Sequence, residues 1–365
     1  IARAQQYSHD TTLYASNKSK IEEDKKSVGI SMDKNSCMQN NRIICILGPT
    51  ASGKSDLAIA LAKKLSGEII SADSRQVYRG MDIGTGKVAR DKTKAKVYHI
   101  TDDRHLCDTK KSVYLSEGIP HWLLDVASPK RSYNVTHFVR DAKKALTDIK
   151  KRGKLPIICG GTGFWVQALL ENTPFPSVKP DQKLRKKLAK LSTEELFSML
   201  KKNDPARAKN IDQKNKVRLI RALEIIEALG KVPSKETVPD SRRMFIRQLA
   251  DGNDSVVIIA LNPNKEILQK NIETRLEKRL KLGMITEVQR LRASGVSWKK
   301  LESFGLEYKN IAFFLQKKIS LQVMRENILR ESFHYAKRQL TWLRRLEKMG
   351  ARINWITNAR EVDKI

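Results

Sequence analysis

The sequence predicts an α/β fold: a parallel sheet flanked by helices, with a helical insertion domain and a helical C-terminal region. Three observations carry this. Short all-apolar runs alternate with stretches whose apolar residues recur every three or four positions, the pattern of buried strands covered by amphipathic helices. The first run opens directly into Gly48-Pro49-Thr50-Ala51-Ser52-Gly53-Lys54-Ser55. That segment fits G-x-x-x-x-G-K-[ST], so the sheet is expected to be P-loop NTPase-like. Between about Pro174 and Ala250 strand signals vanish, and Lys- and Arg-rich helical patterns take their place.

Taken in order, residues 1–41 are polar and aperiodic and read as a disordered leader. Residues 42–172 form the first part of the core. Ile43 to Leu47 is its first strand, and from Lys54 the residues Leu57, Ala58, Leu61, Ala62 and Leu65 mark one face of a helix. Further strands are expected at Glu68 to Ser71, Trp122 to Val126 and Leu155 to Cys159, with a helix from His137 to Lys151. Val88 to Glu117, rich in Lys and Asp and without clear period, reads as a surface loop or excursion. Residues 173–250 are the insertion, with helices at Lys183 to Lys202 and Lys214 to Leu229. Val256 to Leu261 restores a buried strand, and residues 251–365 complete the core and add basic C-terminal helices.

The 365 residues are 40% hydrophobic, enough for a packed core. No apolar run approaches the roughly 20 residues that cross a bilayer, so no membrane partner is expected. Cys37, Cys45, Cys107 and Cys159 contain no C-x-x-C pair, which argues against a disulfide framework or zinc site and fits a reducing compartment. Cytoplasm is the expected location, with an organelle left open, and no exposed apolar heptad suggests a partner helix, so a monomer is expected. The formal net charge is +31. The leader is nearly balanced (Arg3, Lys18, Lys20, Lys25, Lys26 and Lys34 against Asp10, Glu22, Glu23, Asp24 and Asp33), so the excess lies in the folded body. Such an excess favours a polyanionic partner, nucleic acid first, with salt-sensitive binding.

In a loop of the G-x-x-x-x-G-K-[ST] type, glycines let backbone N–H groups wrap a phosphate, the helix N-terminus adds partial positive charge, Lys54 neutralises oxygens and the Ser55 hydroxyl can ligate Mg²⁺. The default owner of such a cradle is an ATP-binding kinase or NTPase. Here that default is weak, because the best acidic candidate for a metal ligand at a strand end is Asp125, which strand termination explains equally well. After the second strand, Ser71 to Lys87 is dense in polar side chains. A loop leaving the carboxyl end of a parallel strand lies on the ligand-binding edge. Asp73 could serve there as a general base, and Ser74, Arg75 and Gln76 could hydrogen-bond a base or phosphate. A solvated turn with capping Asp and Ser is the alternative.

These segments, followed by Gly118-Ile119-Pro120-His121-Trp122-Leu123-Leu124-Asp125 and Gly160-Gly161-Thr162-Gly163-Phe164, occur in the order found in the tRNA dimethylallyltransferase family. Asp204-Pro205, Arg218, Arg221 to Glu224, Arg275 with Gly283 and Glu287-Val288, and Tyr335 to Trp342 extend the match. The chain resembles that family from about Ile43 to Arg345. The resemblance implies that the loop holds the diphosphate of dimethylallyl diphosphate instead of ATP. It implies that Asp73 takes the proton from an adenosine N6 amine as nitrogen attacks the allylic carbon. Diphosphate then leaves toward Thr50, Gly53, Lys54, Ser55, Mg²⁺ and Arg275, with Thr162 near the reacting atoms. The acceptor that the resemblance implies is the adenosine 3′ of the anticodon in a tRNA anticodon loop, giving N6-isopentenyladenosine.

From Arg325 to Lys348, Leu329, Phe333, Ala336, Leu340 and Leu343 form an apolar stripe while Arg330, Lys337 and Arg344, and also Arg338 and Arg345, recur every seven residues. With the basic insertion, this favours a groove for an RNA backbone. Ser74, Arg75, Gln76, Arg218, Arg221, Lys337, Arg338 and Gln339 are the candidate RNA contacts. Departures from the family pattern are Trp122, Phe164 after the last Gly of Gly161-Thr162-Gly163, and Ser303 to Lys309. The rivals are a transferase acting on free adenine nucleotides, a P-loop kinase or NTPase, and an RNA-binding module with an inactive core.

Overall fold

The computed structural model describes residues 42–92, 97–102, 105–171, 175–233 and 255–364. The predicted leader and the end of the predicted insertion, residues 234–250, lie outside them.

A seven-stranded sheet forms the centre. Its strands are β1 (Arg42–Leu47), β2 (Gly67–Ser71), β5 (Tyr114–Ser116), β6 (Ile119–Trp122), β7 (Leu155–Gly160), β8 (Ser255–Leu261) and β9 (Ile353–Ile356). They are ordered β5-β6-β2-β7-β1-β8-β9. All neighbours are parallel except β5 and β6, which form an antiparallel edge. Strand β1 shows why both faces must be covered. Ile43, Cys45 and Leu47 enter the larger apolar cluster on one face, while Ile44 and Ile46 enter a second cluster on the other. On the second face lies α1 (Lys54–Lys64), burying Leu57, Ala58 and Leu61. On the first lie α2 (Val135–Lys151) and α3 (Gly163–Leu170), with Phe138 stacked on Trp165 at 4.7 Å.

Three sequence expectations are corrected, and one strand is added. The strand expected at Trp122 to Val126 ends at Trp122. Leu123 and Asp125 take positive φ of 65° and 56°, which no strand accommodates. The excursion at Val88 to Glu117 is not all loop: β3 (Val97–Asp102) and β4 (His105–Ser112) pair as an antiparallel ribbon, and β5 follows. The single helix expected at Lys183 to Lys202 is two, α4 (Gln182–Leu188) and α5 (Thr193–Asn203). Ser192 restarts the helix with a reciprocal capping box to Glu195, a signature visible as Ser-x-x-Glu. Strand β9, not foreseen, extends the sheet beyond β8.

Helices α4, α5, α6 (Pro205–Lys209) and α7 (Lys216–Leu229) bury Leu196, Leu200, Leu219 and their neighbours in a separate apolar cluster. The C-terminal part contributes α8 (Lys265–Lys281), α9 (Met284–Ala293), α10 (Trp298–Ser303), α11 (Leu306–Leu315) and the 28-residue α12 (Leu321–Lys348). Among the described residues, no helix is long and apolar enough to cross a membrane.

Candidate active site

Strand order brings three chain segments together. β2, β7 and β1 are adjacent and parallel, so the residues just beyond their carboxyl ends meet along one edge. These are Asp73 after β2, Thr162 after β7 and the loop Gly48 to Ser55 after β1. They are joined at the backbone, where Thr162 N–H donates to Ala72 O at 3.2 Å, and at the side chain, where Ser74 N–H donates to Thr162 Oγ1 at 3.1 Å.

Asp73 is half-buried, and its Oδ1 accepts from the N–H groups of Arg75 (2.8 Å) and Gln76 (3.2 Å). Both bonds go to one oxygen, and the residue lines a cavity of about 950 Å³. Thr50 to Ser55, Arg275, Arg279, Glu307, Tyr335 and Gln339 line the same space. Burial is the main cause that pushes the Lys54 ammonium down to about 8, with Arg275 adding to it and Cys159 and Asp73 opposing. Burial also pushes the Arg275 guanidinium down, reinforced by Arg279 and opposed by Glu307. Both cations are therefore short of negative charge, which a bound anion would supply. Ser52 Oγ is buried with no hydrogen-bond partner among the described residues.

The phosphate loop is braced from far along the chain. Arg275 Nη2 donates to Thr50 Oγ1, and Asn271 Nδ2 donates to Ala51 O at 3.2 Å. Gln339 accepts from Thr50 N–H at 2.8 Å and donates to Gly161 O at 2.8 Å, clamping two loops together. Close approach explains the glycines of the second loop: a Cβ on Gly161 would lie 2.0 Å from Gln339 Nε2, and one on Gly163 2.2 Å from the Trp342 ring.

A third loop, residues 81–87, forms the far wall. Glu287 accepts the N–H groups of Asp82, Ile83 and Gly84 at 2.8, 2.7 and 3.0 Å, and the Tyr308 hydroxyl at 2.7 Å. Asp125, weighed as a metal ligand, is instead paired with Lys87.

On the other side of Arg75 and Tyr335, which line both spaces, lies a second cavity of about 480 Å³. Ser74, Tyr78, Tyr133, Lys300 and Phe304 are among its walls. Asp73 lines the first cavity and its neighbour Ser74, bonded to Thr162, lines the second, so the segment from Asp73 to Arg75 runs along both.

The predicted RNA contacts divide. Arg218, Lys337 and Arg338 are exposed, and Arg338 lies over the Tyr335 ring at 5.8 Å. Gln339 is only 7% exposed and spends its amide on the clamp. Gln76 is likewise consumed, accepting from Ser71 Oγ and donating to Thr85 O and Gly86 O. The Arg221 guanidinium is held by Glu224 and Val178 O. Arg75 is paired with Glu307. These four side chains are each held by other residues of the chain. Arg279, Glu307 and Tyr335 as cavity residues carry no local sequence signal, because their partners are remote in the chain.

A parallel sheet whose central strand runs through a lysine-bearing phosphate loop into a helix, with an acidic side chain beside it, defines a P-loop-type α/β protein. Comparison with known proteins narrows this. The model of the IPP transferase family matches residues 106–346, and that of the isopentenyl transferases matches residues 41–112. A protein named tRNA dimethylallyltransferase 2 from Treponema denticola is 39% identical, over 90% of this chain and 99% of its own length. One named tRNA dimethylallyltransferase 1 from Syntrophus aciditrophicus is 37% identical over 86% of this chain and 93% of its own. Among solved structures, a tRNA isopentenylpyrophosphate transferase from Staphylococcus epidermidis aligns with TM-score 0.57 and 33% identity, covering 89% of this chain and 95% of its own. A eukaryotic dimethylallyltransferase acting on tRNA aligns with TM-score 0.65 and 25% identity, covering 88% and 76%. The chain belongs to the tRNA dimethylallyltransferase, or IPP transferase, family.

Proposed function

We propose that this chain transfers the dimethylallyl group of dimethylallyl diphosphate to N6 of the adenosine 3′ of the anticodon in tRNA, releasing diphosphate. The observation that carries the reading is that the Lys54 phosphate loop and Asp73 line one cavity, while a second cavity with aromatic walls is lined by the adjoining Ser74 and Arg75. Donor and acceptor would then occupy adjoining spaces along the Asp73 to Arg75 segment.

In this reading diphosphate lies in the loop, against the N–H groups around Gly53, the Lys54 ammonium, the Ser52 and Ser55 hydroxyls and Arg275. An allylic carbon loses diphosphate readily, so the main tasks are to hold the amine in line and stabilise charge growing on the leaving oxygens. The adenine enters from the second cavity, where Tyr78, Tyr133 and Phe304 offer ring faces for stacking. Nitrogen attacks the allylic carbon, the carbon–oxygen bond to diphosphate breaks, and the N6 proton passes to Asp73. Thr162 orients the Asp73 segment through Ser74 N–H. The base must leave the anticodon-loop stack to reach the buried carbon, and exposed Arg218, Lys337 and Arg338 would hold the RNA backbone. One chain supplies every group in this scheme, so a monomer suffices, and the tRNA acceptor points to the cytoplasm.

Mg²⁺ fits the loop. Among the described residues no three His, Cys, Asp or Glu side chains converge to hold a metal, and Mg²⁺ characteristically takes one or two protein oxygens and completes its shell with substrate phosphates and water. Ser55 would supply the protein oxygen, and the ion would offset charge on the diphosphate.

The test is transfer of radiolabelled dimethylallyl diphosphate to unmodified total tRNA, with AMP and ATP as competing acceptors and Asp73→Ala as control. Label in tRNA that the variant fails to transfer supports the reading. Label in free nucleotide moves the acceptor to a small molecule, and ATP turnover without transfer returns the chain to the kinases.

A further inference from the structure

Four arginines line the donor cavity, Arg75, Arg90, Arg275 and Arg279. One buried carboxylate faces two of them. Glu307 Oε2 accepts from Arg75 Nη1 at 3.0 Å, and Glu307 Oε1 accepts from Arg279 Nη1 at 3.1 Å. The Glu307 side chain is 6% exposed. Arg279 Nη1 also donates to Gly84 O at 3.1 Å, and Arg75 lies over the Tyr335 ring at 5.6 Å. Arg275 is held differently, by the Thr50 hydroxyl of the phosphate loop.

This arrangement sorts the cations by function. Without Glu307, two more guanidiniums would be drawn to any polyanion in the cavity. Such attraction acts on bound donor, transition state and released diphosphate alike, so it tightens binding without lowering the barrier. It also slows product release, which is often the limiting step. We propose that Glu307 is a positioning residue that withholds Arg75 and Arg279 from the diphosphate. Lys54 and Arg275 are then the cations that meet the leaving group, and Glu307 thereby sets how tightly donor and product are held. The inference rests on the diphosphate reading of the phosphate loop.

The experiment measures binding of inorganic diphosphate to the full chain by calorimetry, together with steady-state transfer, for the wild type and Glu307→Gln. An added uncompensated charge a few ångströms from a polyanion is expected to tighten diphosphate binding about tenfold or more. KM for the donor and kcat are expected to fall together. A purely structural strut does not produce that pattern, since loosening the site weakens binding. Adding Arg75→Gln to Glu307→Gln restores the net charge and is expected to bring diphosphate affinity back toward wild type. Unchanged or weaker diphosphate binding by Glu307→Gln overturns the proposal. If that variant does not fold, Glu307→Asp, whose shorter arm loosens both pairs, takes its place, with tighter binding supporting the proposal and unchanged binding overturning it. A wild-type chain that binds no diphosphate overturns the phosphate-loop reading as well, which separates the two failures.

Discussion

Two buried glutamates in this molecule each hold two arginines, and they sit in very different places. Glu224, on α7 of the insertion, accepts from Arg185 at 2.8 and 2.7 Å and from Asp181 N–H at 2.7 Å, and pairs with Arg221. It ties α4 to α7 and lines neither cavity. Glu307, on α11, makes the same kind of bridge at the wall of the donor cavity. The chemistry of the cluster is the same, and its surroundings decide its use. Where no cavity faces the guanidiniums, the carboxylate is a strut; where a ligand-sized space faces them, it also governs what that space attracts.

The sharpest way to separate the two regions is to remove the chemistry and leave the scaffold. Asp73→Ala is expected to lower transfer by about 10²- to 10⁴-fold, the range for losing a general base, with an unchanged unfolding midpoint in urea. Lys54→Met comes next, expected to cost about 10²- to 10³-fold in kcat/KM by removing a charge aimed at the leaving group. A calorimetric titration with diphosphate should show the matching loss of affinity. Glu224→Gln is expected to do the reverse, destabilising the insertion by about 2 kcal/mol while single-turnover transfer by the folded fraction stays near wild type.

The same residue gives a pH test. Burial alone would raise the Glu224 carboxyl, but Arg185 and Arg221 lower it from 4.5 to about 2. A carboxylate depressed in the folded state contributes stability that is fully present above its unfolded value near 4.5 and is lost as pH falls through about 2. Acid unfolding of Glu224→Gln should lack that component. Smallest is the effect of Lys337→Ala with Arg338→Ala, expected to raise KM for tRNA several-fold and reduce the salt slope of binding by about one or two units, with donor KM unaffected.

Local chemistry was legible and remote pairing was not. The phosphate loop announces itself in eight consecutive residues, and β1, β2, β7 and β8 appear as apolar runs because a parallel strand is buried on both faces. Asp73 follows from position, two residues past a strand end, whereas Thr162 is reached only through the family resemblance. By contrast, Gln339 reads as one more polar residue on a basic helix, since its partners Thr50 and Gly161 are 289 and 178 residues away. Glu307 and Arg75 are 232 residues apart. Trp122 to Val126 misled for another reason: five residues of strand-like composition are turned by positive φ at Leu123 and Asp125, which a hydrophobicity pattern does not encode. The break before α5 was readable from Ser192 and Glu195, a capping signal that the run of lysines around it obscured.

The clamp made by Gln339 has one more consequence. Lys337 and Arg338 precede it by two residues and one, within about 3 Å of rise along a helix. On the proposed reading, the side chains that feel an RNA backbone and the side chain that ties the two reacting loops share one rigid rod of 28 residues. That rod works as a caliper: a docked strand cannot slide along it without changing the distance from anchored phosphate to carboxylate. The nucleotide that is modified would then be chosen partly by measured reach.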